Sequence, residues 1–266
     1  MGDTPYVDHG ELPVHRHSHR QFLNIDSFAE VLKNTPFGGT WDDHDFGFNN
    51  CDGRHKLKAN SMKAFKEYRP QFSYGDGKEG IYTKVRYGPV EVFVIDARWF
   101  SYTEASFANP KQKTLLGKKQ WKWLTQGLKA STATFKVLAT GIIWDDKENR
   151  EKDDWDTYSS EKKALFDFIK KQEITGVCLL GGDIHVSRLL KYEKDLVGYD
   201  LYQFISSPMH SSVIKSLNVK HPDLQWSALE KNTFMTLEVL QRQGEAVLIA
   251  DFINKQGKSI KHLEVP

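Results

Sequence analysis

The chain has 266 residues, of which 39% are hydrophobic, 12% aromatic and 27% charged. This composition supports a folded core and excludes a disordered chain, and the length suits one large α/β domain. The formal net charge of +2 gives no reason to expect nucleic-acid binding, and no apolar run reaches the roughly 20 residues of a transmembrane helix.

The N-terminal part of the sequence predicts two helical segments. It opens without the basic and apolar regions of a signal peptide. The segment His15-Arg16-His17-Ser18-His19 resembles a metal-binding tract, but arginine disfavours a bound cation, so we expect a solvated, helix-like segment. In residues 26–33, Ser27 is followed three positions later by Glu30, which is a capping-box pattern and predicts a helix.

The middle of the sequence alternates strand and helix patterns. Short, continuous apolar runs at residues 92–95, 137–139 and 177–180 predict strands that are buried on both faces. Apolar residues recur at helical spacing over residues 116–128, and residues 160–171 predict a further helix capped by a serine. This alternation is typical of an α/β core.

The C-terminal part predicts strands only. Residues 234–240, 246–253 and 259–265 are separated by glycine-containing turns. We therefore expect an α/β fold with a mixed β-sheet sandwich flanked by helices and closed by a C-terminal β meander. No domain boundary is evident, so residues 1–266 are expected to form a single domain.

Two polar segments carry the strongest chemical signals. The segment Trp41-Asp42-Asp43-His44-Asp45 concentrates negative charge, which a bound multivalent cation would neutralise; an exposed acidic loop is about equally common for such a pattern. Asp183 and His185 follow two glycines at the end of a predicted strand, where open α/β sheets bind ligands. Carboxylate and imidazole together suit metals of intermediate hardness, so we expect a metal site.

Other candidate residues have weaker contexts. Asp3 and Tyr6, in Gly-Asp-x-x-Tyr, can bridge or ligate metal ions, or they can belong to a frayed terminus. Asn49 can offer its amide to a metal or a phosphate, or it can belong to a turn. Arg98 fits a structural ion pair with Asp96 better than a catalytic role, although it could also hold a phosphate.

The order of these segments resembles that of the PhoD-like phosphatases, the alkaline phosphatase D branch of the calcineurin-like metallophosphoesterases. The likeness covers roughly residues 2–210. The matching segments are Gly2-Asp3-x-x-Tyr6, Trp41-Asp42-Asp43-His44-Asp45 with Asn49, Ile95-Asp96-Ala97-Arg98, Leu116-Gly117 with Gln120-Trp121-x-Trp123-Leu124, Trp155 with Tyr158 and Glu161, and Gly182-Asp183-x-His185.

The resemblance implies a metallophosphoesterase fold and a centre of two divalent or trivalent metal ions, iron and calcium being known in the family. Asp3 would be the bridging ligand with Tyr6 beside it, and Asp43, Asp183 and His185 would complete the ligand set. Members of the family are commonly periplasmic or secreted. These are implications of the resemblance, and they do not follow from spacing alone.

The resemblance also implies an activity. It predicts a metal-dependent phosphoric ester hydrolase, acting on phosphomonoesters or phosphodiesters, that uses metal-activated hydroxide on a small phosphorylated substrate. His44 would be the catalytic histidine, and Asn49 and Arg98 are the predicted substrate contacts.

One departure keeps a second reading open. The family carries a strand–helix–strand unit before the Gly-Asp motif, and this sequence lacks that unit, so we expect an N-terminally truncated member. The alternative function is therefore a catalytically impaired fragment, or a non-catalytic binding module, that retains the fold. A serine esterase is disfavoured because the sequence has no Gly-x-Ser-x-Gly motif.

Overall fold

Two β-sheets pack face to face in the computed structural model, which describes residues 1–149 and 151–266. The helices are α1 (Leu12–Leu23), α2 (Asp26–Asn34), α3 (Asp43–Phe46), α4 (Lys58–Tyr68), α5 (Gly117–Ala130) and α6 (Ser159–Lys171). The strands are β1 (Thr83–Tyr87), β2 (Val90–Val94), β3 (Phe135–Ala139), β4 (Val177–Gly181), β5 (Ser187–Tyr192), β6 (Leu201–Ile205), β7 (Leu224–Ala228), β8 (Phe234–Arg242), β9 (Glu245–Ile253) and β10 (Ser259–Val265).

The larger sheet has seven strands in the order β1-β2-β3-β4-β6-β5-β7. Strands β2, β3, β4 and β6 run parallel at its centre, and antiparallel pairs complete the two edges. The smaller sheet is an antiparallel meander, β10-β9-β8. The predicted α/β class, the mixed sheet and the C-terminal meander are confirmed.

Alternating side chains of the central strands build two separate cores. Leu138 and Leu179 point to the face that helices α5 and α6 cover. Val137 and Cys178 point to the other face, where they pack with Phe252 of β9. Because successive residues of a strand face opposite sides, strands covered on both faces are apolar at every position. This arrangement explains the continuous apolar runs of the sequence.

The ends of two predicted helices and the exposure of the histidine-rich segment were predicted wrongly. Ile25 is the N-cap of α2 and Tyr158 that of α6, and neither helix has a side-chain cap, because the backbone enters the helical conformation before the predicted serines. The histidine-rich segment is helical, as expected, but His15 and His19 are buried rather than solvated. They lie one turn apart on the face of α1 that packs against α4.

The length and hydropathy of the helices bear on membrane insertion. Within the described ranges, no helix is both long enough and apolar enough to cross a membrane.

Candidate metal centre

The three predicted ligand segments meet beside the carboxyl ends of the central strands. Ligand atoms of Asp3, Asp43 and His44 lie within 4.8 Å of one another, and so do those of Asp3, Asp42 and Asp183. We call these the first and the second ligand group. They share Asp3, which therefore stands where a ligand bridging two ions would stand.

Local hydrogen bonds hold the acidic segment in place. Asp42 caps the short helix α3, and its backbone N–H donates to Oδ1 of Asp45 at 2.5 Å. The same carboxylate accepts the backbone N–H of Asp3 at 3.2 Å, which ties the N-terminal segment to α3. Gly2 makes this approach possible, because a Cβ there would lie 2.3 Å from Cβ of Asp42. Asp45, which the sequence did not assign a role, thus organises the backbone around the ligands.

Three of the predicted ligands adopt left-handed backbone conformations. The φ angles are 52° at Asp3, 68° at Asp183 and 54° at His185. Residues other than glycine adopt this region uncommonly, and such residues concentrate at functional sites. The backbone at these positions is therefore held in place by the surrounding contacts.

Aromatic and imidazole rings line one side of the centre. Nδ1 of His44 lies 2.5 Å from Oδ1 of Asp8, and the Tyr6 ring lies against His44 with centroids 4.4 Å apart. The Tyr6 hydroxyl lies 2.9 Å from Nε2 of His185, and the His210 ring lies 4.5 Å from that of His185. His210 thus also lies at the centre.

The titration behaviour of the centre shows unbalanced negative charge. Burial, reinforced by Asp43, raises the pKa of Asp3 to about 8. Burial also raises the pKa of Asp183 to about 6, although Lys147 opposes the rise. Burial lowers the pKa of His185 to about 4, so this imidazole is neutral at neutral pH, as metal ligation requires.

The residues present fit a metal ion. Within the described part of the chain, Oδ2 of Asp42 and Nδ1 of His185 are buried without a hydrogen-bond partner. Buried polar atoms are nearly always paired, and a cation bound by the second ligand group would pair the oxygen of Asp42, whereas His185 belongs to neither group. The two donors, a carboxylate and an imidazole, suit divalent or trivalent ions of intermediate hardness.

A row of alternating charges lies behind the ligands. Nε of Arg98 donates to Asp42 at 2.7 Å, and Nη2 donates to Asp153 at 2.9 Å. Nζ of Lys147 lies 3.5 Å from Asp153 and donates to Asp183 at 2.7 Å. We call these five side chains the charge row.

The two predicted substrate contacts have different surroundings. Arg98 is 3% exposed, and its guanidinium is occupied by the two carboxylates of the charge row, whereas the predicted pairing with Asp96 is replaced by a backbone contact. Asn49 is exposed, just beyond α3. Sequence reasoning missed Asp8, Lys147 and Asp153, since no local pattern marks them.

The centre opens into a broad groove. The groove has a volume of about 1390 Å³ and shares Asp3, Tyr6, His185 and His210 with the centre. Its remaining walls combine apolar side chains, such as Phe22, Phe28 and Val31, with polar ones, such as Asn232, Asn254 and Lys255. A concave site that combines apolar side chains with polar groups is the usual form of a small-molecule site.

Comparisons with known proteins show to which family the chain is similar. The family of PhoD-like phosphatases matches residues 7–252. Alkaline phosphatase D of Bacillus subtilis (strain 168) is 28% identical over 207 residues, which are 66% of this chain and 35% of that protein. The chain belongs to the PhoD-like phosphatase family, and it spans about a third of the length of this relative.

Two solved structures share the fold. The structure of PhoD superposes with a TM-score of 0.68 at 18% identity, covering 96% of this chain and 59% of that one. The purple acid phosphatase PPD1 from yellow lupin (Lupinus luteus) superposes with a TM-score of 0.56 at 10% identity, covering 99% and 45%. The predicted metallophosphoesterase-like architecture is therefore confirmed.

Proposed function

We propose that the chain is a metal-dependent phosphoric ester hydrolase acting on small phosphomonoesters or phosphodiesters. The observation that carries the proposal is the convergence of Asp3, Asp43 and Asp183, from three distant segments, in a family of phosphatases. The groove beside them, with its apolar side chains, supports an organic group on the phosphate.

The two ligand groups support a centre of two ions that share Asp3. Iron, expected from the family resemblance, fits a donor set of carboxylates and imidazole, whereas calcium, also expected from it, fits the carboxylates. When bound, such ions would lower the pKa of coordinated water toward about 7 and hold the phosphoryl oxygens. The carboxylates of Asp3, Asp42, Asp43 and Asp183 are the groups of this chain that would hold them, and the predicted ligands Tyr6 and His185 line the same centre.

His44 is the proposed proton donor to the leaving group. Burial disfavours its charged form, but Asp8, Asp43 and Asp3 together outweigh burial and raise the pKa of His44. A raised pKa favours the protonated imidazole that general acid catalysis requires. Asp8, through its contact with Nδ1, orients the ring so that Nε2 is available for the donation.

The two predicted substrate contacts now differ in their proposed roles. Asn49 remains a predicted substrate contact because it is exposed near α3. For Arg98, the contacts support positioning of Asp42 behind the ligands more than contact with a phosphate.

An aryl phosphate and an aryl phosphodiester assay, run with the metal-loaded protein and after chelation, tests the proposal. We expect turnover that chelation abolishes and that Mn²⁺, Fe²⁺ or Ca²⁺ restores. Asp3→Asn, which removes the shared carboxylate charge, should bind fewer ions and lose turnover together. Turnover that survives complete chelation would contradict the proposal, and metal binding with no turnover on either ester would favour the non-catalytic binding module.

A further inference from the structure

His210 stands at the edge of the centre, against His185. Its ring centroid lies 4.5 Å from that of His185, at an interplanar angle of 77°, and 6.3 Å from that of Tyr6. Among the described residues that form the two ligand groups, His210 is not a member. Neither the proposed ligands nor the proposed proton donor, His44, uses this imidazole.

A backbone contact fixes which nitrogen of His210 carries the proton. The N–H of Ser212 donates to Nδ1 at 3.1 Å, so Nδ1 is the acceptor nitrogen of the ring. The other nitrogen, Nε2, is then the donor. Within the described part of the chain, this Nε2–H meets no hydrogen-bond acceptor. It is therefore available to donate to a ligand.

The segment that carries His210 is tied to the start of β8. The carbonyl of His210 accepts the backbone N–H of Asn232 at 3.0 Å. The carbonyl of Pro208 accepts the N–H of Thr233 at 2.9 Å, and the Asn232 side-chain amide donates to the carbonyl of Met209 at 3.2 Å. A donor that is held in place before a ligand arrives costs less conformational entropy on binding. These contacts therefore preorganise the backbone beneath the imidazole.

Two cavities meet at His210. The broad groove beside the centre is one of them, and it is lined by Asp3, His185 and His210. The second is a smaller pocket of about 250 Å³, which is lined by the same three residues and by Leu180 of β4 and Met235 of β8. A phosphate ester held at Asp3 therefore lies beside His210, whichever cavity its organic group occupies.

The hydrogen bond at Nδ1 suits His210 to contact with an anion rather than with a metal ion. A metal ligand needs an unprotonated nitrogen, and the unprotonated nitrogen of His210 already accepts the N–H of Ser212. Phosphoryl oxygens carry negative charge and accept hydrogen bonds, and such charge-assisted bonds are stronger than those between neutral groups. An oxygen that faces the cavities would meet the Nε2–H of His210.

We propose that His210 is a substrate-contacting residue: its Nε2–H donates a hydrogen bond to a phosphoryl oxygen of the bound ester. This inference rests on the proposed function, because it takes Asp3 as the place beside which the phosphate is held. His210 keeps its proton throughout, and in this it differs from His44, the proposed proton donor to the leaving group.

Binding of inorganic phosphate to the metal-loaded protein, measured by calorimetry and by inhibition of turnover, tests the inference. His210→Phe removes the donor and keeps a ring against His185. We expect phosphate binding to weaken by about 10–100-fold, the range for loss of a hydrogen bond to a charged group. The KM for an aryl phosphate should rise more than kcat falls, because the contact already exists in the bound substrate. Metal content should stay at the wild-type level.

Three further variants separate the hydrogen bond from packing and folding. His210→Gln keeps an N–H donor on a side chain of similar reach, so phosphate binding should weaken less than in His210→Phe. His262→Phe makes the same change in an exposed histidine of β10, which contacts Asp251 outside both cavities, and it should leave phosphate binding unchanged. If His210→Phe fails to fold, His210→Ala removes the same donor without a new apolar ring.

The outcomes distinguish this inference from the proposed function. Phosphate binding by His210→Phe equal to that of the wild type would overturn the inference while leaving the metal-dependent hydrolase intact. Loss of metal from this variant would also overturn it alone, because His210 would then be a ligand. Equal losses in His210→Phe and His210→Gln would assign the effect to packing against His185, with the same consequence. A wild type that neither binds phosphate nor turns over an ester would overturn both.

Discussion

The histidines of helix α1 and those of the candidate metal centre form two clusters with different neighbours. His15 lies 3.3 Å from the Ser61 hydroxyl, and His19 stacks on Tyr68 with ring centroids 5.4 Å apart. The charged groups that act on this pair are Arg69 and other histidines. His44, by contrast, contacts the carboxylate of Asp8 and lies beside Asp3 and Asp43.

The two clusters differ in whether carboxylates lie beside the imidazoles. The number of histidines does not separate a structural cluster from a functional one. The α1 segment has the denser histidine pattern, yet burial lowers the pKa of His15 to about 4 and that of His19 to about 3, which keeps both neutral. A cation would gain little there, since among the described residues no carboxylate acts on the pair and Arg69 opposes a cation. Matched variants in the two clusters test whether the α1 histidines are structural and the histidines of the metal centre are functional.

The largest expected effect follows from His44→Ala. If His44 donates a proton to the leaving group, turnover of an aryl phosphate should fall by about 10²–10⁴. Metal content, measured by elemental analysis, should stay the same. The matched change in the other cluster, His19→Ala, should reduce stability and leave the turnover of the folded protein within about twofold of wild type.

Loss of metal from His44→Ala would assign His44 to the ligands of the first group instead of to proton donation. Equal turnover in the wild type and His44→Ala would remove it from the reaction altogether. A large loss of turnover in folded, metal-loaded His19→Ala would break the division between the two clusters.

A smaller loss is expected for Asp8→Asn. The amide keeps the shape of the side chain but removes the charge that helps to raise the pKa of His44. Turnover should fall by about 10–100-fold, as for other groups that orient a functional histidine. The readout is the alkaline limb of the pH–rate profile. This limb should move to lower pH, because the histidine loses its proton more readily. An unchanged alkaline limb would show that Asp8 does not act through His44.

The α1 cluster should make the protein sensitive to acid. The unfolded chain protonates His15 and His19 near pH 6.5, whereas the folded chain does so only near pH 4 and pH 3. Their contribution to stability is therefore complete above pH 6.5 and is lost as pH falls below it. We expect the free energy of unfolding in urea to lose about 3–4 kcal/mol from this pair between pH 7 and pH 5.

The double variant His15→Leu, His19→Phe is the control for this acid effect. The raised pKa of Asp3 acts in the opposite direction, stabilising the folded state as pH falls, so the slope of the wild type alone is not diagnostic. The informative quantity is the difference between the two proteins, and the variant should lose less stability than the wild type. Equal pH dependence would mean that the two histidines are protonated in the folded state.

The sequence predicted the elements that show a local residue pattern, and it missed elements whose residues depend on distant partners. Strands β2, β3 and β4 were predictable because a strand that is buried on both faces has an uninterrupted run of apolar residues in the sequence. Strand β5 was missed because it carries Arg188, which is 1% exposed and donates to the carbonyl of Val219. A buried arginine satisfied by a residue 31 positions away has no local signature.

The residues of the candidate site also fall into two sets, those in local motifs and those that act through distant partners. Asp43, Asp183 and His185 stand in short motifs at strand ends or helix starts, and those motifs could be recognised. Asp8 and Lys147 act through partners, His44 and Asp183, that are each 36 residues away in sequence. Only the folded chain brings these pairs together, so sequence reasoning had no pattern by which to find them.

The smallest expected effect belongs to the exposed side of α1. Arg16 donates to both oxygens of Glu67 on α4, at 2.6 and 2.7 Å, and about a third of each side chain is exposed. Water screens such pairs, so Arg16→Met should lower the free energy of unfolding only slightly, with a smaller loss in high salt. Urea unfolding at two salt concentrations measures both quantities.

Arg16 and His15 are adjacent on the same helix and differ chiefly in depth, which makes their comparison informative. Removing His15, with its contact to the Ser61 hydroxyl in the core between α1 and α4, should cost more than removing Arg16. If Arg16→Met were the more damaging change and the loss persisted in high salt, the ion pair rather than the buried histidine face would hold α1 on α4. The histidines of α1 would then lose the structural role that separates them from those of the metal centre.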